Sequence, residues 1–204
     1  MPRRSQQDRT RATTAALVTA GRDLFARHGY AHVSAEQVVS AAGVTRGALH
    51  HHFGDKRGLF VAVLDEIEAE LTADVSDALR AAEDHWTGMV TALGRFLDQC
   101  RRPEVVQLAL IDAPAVLGWR EWREKEAQHG LGVITEALRA AAEAGLLRPA
   151  PIPALAQLVL SAMIEASLII AHAGDKDAAR AEAEQSLLLL LSGLLTGPDQ
   201  GMPR

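Results

Sequence analysis

The chain has 204 residues, 48% of them hydrophobic and 23% charged, with a net charge of −5. That length suits one or two modest domains, with ample apolar material for a core. Its single cysteine, Cys100, excludes an intrachain disulfide, and nothing points to an oxidising compartment.

Strand signals are nearly absent and alanine and leucine dominate, so the expected fold is all-α, with about nine helices. The first eight residues are expected to fray. The Arg-rich start lacks the apolar stretch of a signal peptide, so none is expected. Arg3, Arg4, Arg9 and Arg11 either follow a DNA groove or form a plain flexible arm. A first helix covers about 10–28, with Leu17, Val18, Leu24 and Phe25 on one stripe.

The next twenty residues, Ser34 to Phe53, carry the most information. Ser34 with Gln37 three residues on forms an S-x-x-Q capping box for a helix over 35–42. Gly43 supplies the backbone freedom for a sharp reversal, and Val44 plugs the turn. Thr45 caps a second short helix over 45–53, with Leu49 and Phe53 one turn apart on its inner side. Arg46, Gly47, Ala48, His50, His51 and His52 are left facing outward. A helix with an apolar back and a basic, small-residue front suits a DNA major groove, so these elements predict a helix-turn-helix.

A fourth helix follows from about Lys56 to Ala82, with Leu59, Val63, Ile67, Leu71, Val75 and Leu79 repeating every four residues. A fifth spans about 85–101. Pro103 opens a sixth, which Pro114 interrupts or ends. The seventh runs from about Gly118 to Ala144, with Gly145 as its stop. Pro149, Pro151 and Pro153 form a stiff connector before an eighth helix over about 154–173, and a ninth covers about 176–196. Residues 197–204 are expected to fray. The expected division is therefore a DNA-binding domain at 1–57, with 1–8 as its arm, a larger helical domain at 58–196 and a tail.

The stretch Leu155–Ala173 is long enough to span a bilayer. However, Glu165 in mid-bilayer costs about 2.5–3.5 kcal/mol, so a helix buried in protein, with no membrane, is expected. The chain is expected to be soluble and cytoplasmic. Charge supports the division. Residues 1–57 hold nine Lys and Arg against four acids, and the rest 12 against 22. A basic head meets phosphates while an acidic body resists sticking to DNA elsewhere.

In its first 65 or so residues the chain resembles the TetR family of one-component repressors. The resemblance rests on Phe25, Gly29-Tyr30, Ser34, Ala42-Gly43-Val44-Thr45, His52-Phe53 and Lys56, in one register. Two positions depart from the family pattern: His50 stands for a tyrosine and Gly21 for an alanine. The resemblance implies a dimer built through the last two helices as a four-helix bundle. It also implies an effector pocket in the larger domain, whose occupancy changes the spacing of the two DNA heads. The five consecutive leucines 187–191 and the apolar eighth helix agree with a partner, the alternative being a well-buried monomer core.

The expected partners are a palindromic double-stranded DNA operator, a second copy and a small-molecule effector. Ser34 and Thr45 each offer a hydroxyl to a phosphate besides capping. Arg46 either reads guanine or holds a phosphate, Ala48 meets a thymine methyl, and Gly47 permits close backbone approach. Lys56 is expected to anchor a phosphate. His50, in the tyrosine's place, is expected to strengthen operator binding between about pH 7.5 and 6. Consecutive helical residues point about 100° apart, so His50, His51 and His52 do not converge on a metal. His85, His129 and His172 are a remote metal alternative.

Phe96, Cys100, Leu108, Trp119, Trp122 and Met163 are the candidate pocket lining. Asp112 and Glu165 sit in apolar runs and are expected to be buried, paired either to a ligand or to an internal Arg or His. No catalytic motif, metal or cofactor is expected. Activation in place of repression stays open, as does, more remotely, a helical binding protein or enzyme without DNA readout.

Overall fold

The computed structural model describes residues 6–196. Among these there is no strand, and nine helical runs make up the architecture. They are α1 (Gln6–His28), α2 (Ala35–Ala42), α3 (Arg46–Phe53), α4 (Lys56–Ala81), α5 (His85–Gln99), α6 (103–117), α7 (119–143), α8 (Ile152–His172) and α9 (Lys176–Ser192). The arm residues Arg3 and Arg4 and the tail 197–204 lie outside the described residues.

Two runs contain looser, π-helical winding, Val106–Asp112 in α6 and Ala127–Leu131 in α7. Pro114 was expected to interrupt or end the sixth helix, yet α6 continues to Leu117. A proline has no N–H and crowds the carbonyl four residues back. The ladder is rearranged just ahead of it, where the Ala113 N–H donates to the Leu108 carbonyl five residues back. Pro153, expected in the connector, lies in the first turn of α8, where a missing N–H costs nothing.

The chain divides into two compact units, and not at residue 57. The first comprises the chain up to Glu68 together with Pro103–Trp119. The second comprises Ala69–Arg102 and the chain from Arg120 onward. The helix α4 therefore supplies its first half to one unit and its second half to the other.

The core of the first unit holds Leu17, Phe25, Leu49, Leu59, Phe60 and Val63, each at most 2% exposed. Fully burying such a side chain stabilises by about 1.5–3 kcal/mol. Phe60 packs edge-on to Phe25 at 5.8 Å and to Tyr30 at 5.0 Å between ring centroids. At Gly21 a Cβ would lie 3.1 Å from Leu59 Cδ2, so the missing methyl lets α1 and α4 approach closely. The helix-propensity loss of about 1 kcal/mol against alanine is thus tied to packing. Residues of α6 are fastened into this unit. Arg22 Nε donates to Glu104 Oε1 at 2.5 Å, and the Tyr30 N–H donates to Asp112 Oδ2 at 2.8 Å.

The second unit has two apolar clusters. Leu93 and Leu97 of α5 pack with Ala166 and Ile170 of α8 and with Ala179, Ala183 and Leu187 of α9. Leu138 and Ala141 of α7 pack with Leu147 and Ala156. By length and mean hydropathy of 2.0, α8 meets the requirement for crossing a membrane, but only 33% of that stretch is buried in the protein. Its other side is left uncovered: Leu158 is 68% and Ile169 52% exposed, and on α9 Leu189 and Leu190 are 73% and 63% exposed. Glu165, expected to be buried, is also exposed. An apolar run with no polar period does not reveal which side of its helix faces out.

Candidate nucleic-acid interface

Local capping builds the helix-turn-helix. The Gln37 N–H donates to Ser34 Oγ at 3.2 Å while the Ser34 N–H donates to Gln37 Oε1 at 2.7 Å, a complete capping box. Gly43 closes α2 in the left-handed region, at φ 65° and ψ 31°, and the Val44 N–H returns to the Val39 carbonyl at 3.0 Å. Thr45 Oγ1 accepts from the Ala48 N–H at 3.2 Å and starts α3. Each side-chain cap contributes about 1 kcal/mol. A capping hydroxyl spends a lone pair, so the O–H of Ser34 and of Thr45 remains a donor for a phosphate oxygen.

With Leu49 at 2% exposure holding the back of α3, Thr45, Arg46, Gly47, His50 and His51 are exposed in front, and Ala48 and His52 are partly so. Phe53, expected to point inward with Leu49, is only half-buried. Arg46 is 76% exposed and pairs with Glu36 of α2 at 2.7 Å. This acid beside the recognition helix was missed in the sequence, where it was only one of the four acids counted in residues 1–57. An exposed pair of this kind is worth at most about 1 kcal/mol, so Arg46 can exchange it for DNA at small cost.

The Nδ1 atom of His50 lies 2.6 Å from the Gly54 carbonyl. A carbonyl only accepts, so Nδ1 carries the proton and the outer Nε2 holds a lone pair. Lys56, expected to anchor a phosphate, is turned inward. Its ammonium donates to the Tyr30 carbonyl at 2.9 Å and the Val33 carbonyl at 2.8 Å, and sits 3.9 Å from the Tyr30 ring centroid. Of its three N–H donors two are spent on the chain between α1 and α2. Burial holds its pKa below the usual lysine range, and the nearby Asp112 carboxylate opposes that shift.

Residues 17–63 match the family model for bacterial regulatory proteins of the tetR family, and residues 86–194 match the tetracyclin repressor-like C-terminal domain. The second match alone covers more than half of the chain. The chain belongs to the TetR family of transcriptional regulators. It is 33% identical to a TetR-family regulator from Pectobacterium atrosepticum of known structure, over 96% of this chain and 100% of that one, with a TM-score of 0.84. It is 30% identical over 123 residues to the transcriptional repressor AcnR of Corynebacterium efficiens. That match spans 60% of each chain, so the chain covers under two thirds of that curated relative. The fold is shared, at 18% identity, with SmeT in its complex with triclosan, over 95% of this chain and 100% of that one, with a TM-score of 0.66. A TetR-family member is a regulator and not an enzyme.

The larger unit of this TetR-family chain contains an apolar cavity of about 270 Å³. It is lined by Val75 and Leu79 of α4, Met89, Ala92 and Leu93 of α5, and Val133, Ile134, Ala137 and Leu138 of α7. The wall is completed by Leu155, Leu158, Val159, Ala162 and Met163 of α8, and by Leu187, Leu190, Leu191 and Leu194. Of the eight residues expected at a pocket only Met163 lines it. Phe96 packs against the α5–α8–α9 cluster, while Cys100 and Trp122 are buried away from the cavity. Trp119 is 66% exposed and Glu165 is exposed. Leu108 and Asp112 are buried in the first unit, where the Asp112 carboxylate holds the Tyr30 N–H. Size and softness marked candidates, but only packing decides which helix faces share a void. Among the described residues no group of three His, Cys, Asp or Glu side chains could hold a metal ion.

Proposed function

We propose that this regulator is a cytoplasmic homodimeric repressor that binds a palindromic DNA operator through α3 and is released by a small-molecule effector held in its second unit. The observation that carries this is the front of α3: a capped helix whose buried Leu49 leaves Thr45, Arg46, Gly47 and His50 together on one exposed surface. Ser34, Ala48, His51 and His52 border it, and Lys56 acts there by holding the α1–α2 connection, with one N–H left for a phosphate.

Two further features support the assembly. Ile169 of α8 and Leu189 of α9 are uncovered and lie outside the cavity lining, an apolar surface that a second copy covers, and a two-fold pair is the commonest assembly. The cavity provides a place for an effector, which acts by binding the DNA-incompetent state more tightly than the competent one. The neighbour SmeT in complex with triclosan agrees with a small-molecule ligand.

The test is selection of the purified protein against random DNA, with Arg46→Ala alongside. The expected result is a palindrome whose half-sites are spaced by about one or more helical turns, with discrimination at one base pair falling by about 1–3 kcal/mol in the variant. No enrichment of any sequence by a protein that remains dimeric overturns sequence readout.

A further inference from the structure

We propose that the cavity in the second unit takes an uncharged aliphatic molecule of about ten carbons, recognised by length and volume and not by hydrogen bonds. The proposal rests on the reading that this unit carries the effector site. Every residue lining the cavity is alanine, valine, leucine, isoleucine or methionine. No lining side chain is charged or aromatic, and none offers more than the weak thioether acceptors of Met89 and Met163, so a polar or ionic group carried inside, past the exposed Leu158 and Leu190, would lose its water without replacement. A flat aromatic ligand would find no ring to stack on. Met89 and Met163 adapt to different shapes, so the site tolerates branched and straight chains alike.

Volume sets the size. An apolar cavity of about 150 Å³ holds benzene, with six non-hydrogen atoms, so the 270 Å³ here holds about eleven. That is the size of 1-decanol. With no polar anchor, affinity grows only with buried methylenes, about fourfold for each. Selectivity is therefore broad among neutral molecules of similar length and strict against charge.

The experiment titrates the full-length protein by calorimetry with 1-hexanol, 1-octanol, 1-decanol and 1-dodecanol, and with decanoate at the same chain length. The expected result is one site per chain, affinity rising about fourfold per carbon up to about ten and flat beyond, and decanoate at least tenfold weaker than decanol. Ala137→Phe fills the cavity and lowers decanol affinity at least tenfold. If that variant does not fold, the break in the length series on the native protein carries the test. An unchanged affinity in a folded Ala137→Phe protein means the alcohols bind outside the cavity, and overturns the proposal. So does decanoate binding as tightly as decanol. Each alcohol is also added to the complex with the selected DNA site. Binding without DNA release leaves the ligand class standing and removes the effector reading. DNA release by a charged small molecule, with no alcohol bound, overturns the ligand class and leaves the effector reading intact.

Discussion

Asp112→Ala separates a structural carboxylate from a ligand-binding one. In the native protein Asp112 is 9% exposed and accepts the Tyr30 N–H at 2.8 Å, joining residues 82 apart in sequence. The substitution leaves that N–H without its acceptor and takes away the negative charge that opposes the desolvation of Lys56. A hydrogen bond to a charged group contributes about 1.5–3 kcal/mol, whereas a neutral acceptor contributes about 0.5–1.5. Asp112→Asn, which keeps an oxygen in place, is expected to lose about half as much as Asp112→Ala. Hydrogen exchange at the Tyr30 amide should accelerate by about ten- to a hundredfold in the alanine variant. At about 2–4 °C per kcal/mol for a chain of this size, the melting temperature should fall by about 3–12 °C. Native-like exchange at Tyr30 with an unchanged melting temperature would refute the reasoning, and a specific loss of effector binding would restore Asp112 to the pocket.

Glu36→Gln releases Arg46 and removes a negative charge beside the DNA, so binding to all sequences should tighten a few-fold and its salt dependence steepen; filter binding at two salt concentrations reads both. Gly43→Ala forces a Cβ into φ 65° with no neighbour within 4 Å, so backbone strain alone should cost about 1–2 kcal/mol in urea unfolding, and Gly43→Asn less. Hydrogen bonds from Gln99 and Arg95 hold the Asp74 carboxyl below the usual carboxylate range. Its folded pKa is depressed, so its stabilisation is present above the unfolded value of about 4 and is lost as pH falls below that. Acid unfolding of Asp74→Asn should therefore start from a lower stability at neutral pH and fall less steeply below about pH 4.

The features legible in residue order are those that short-range geometry controls. Ser34 with Gln37, Gly43 and Thr45 act over two to four residues, so their caps and turn follow from residue type and spacing alone. The four-residue stripe of α4 is of the same kind. Leu59, Val63, Ile67 and Leu71 are buried, and Val75 and Leu79 line the cavity. Pairings between residues far apart in the chain, which no period encodes, arise only when the helices pack. Asp112 went to Tyr30 and Glu104 to Arg22, which placed α6 in the first unit. Lys56 was drawn off the surface by two carbonyls left by the α1–α2 connection. The sidedness of α8 was equally hidden, since a helix apolar all round carries no mark of which face its neighbours cover, and so Glu165 was misplaced. The cavity belongs to the same class. A void is what several helix faces leave unfilled when they pack, and none of its lining residues differs in type from the core beside it.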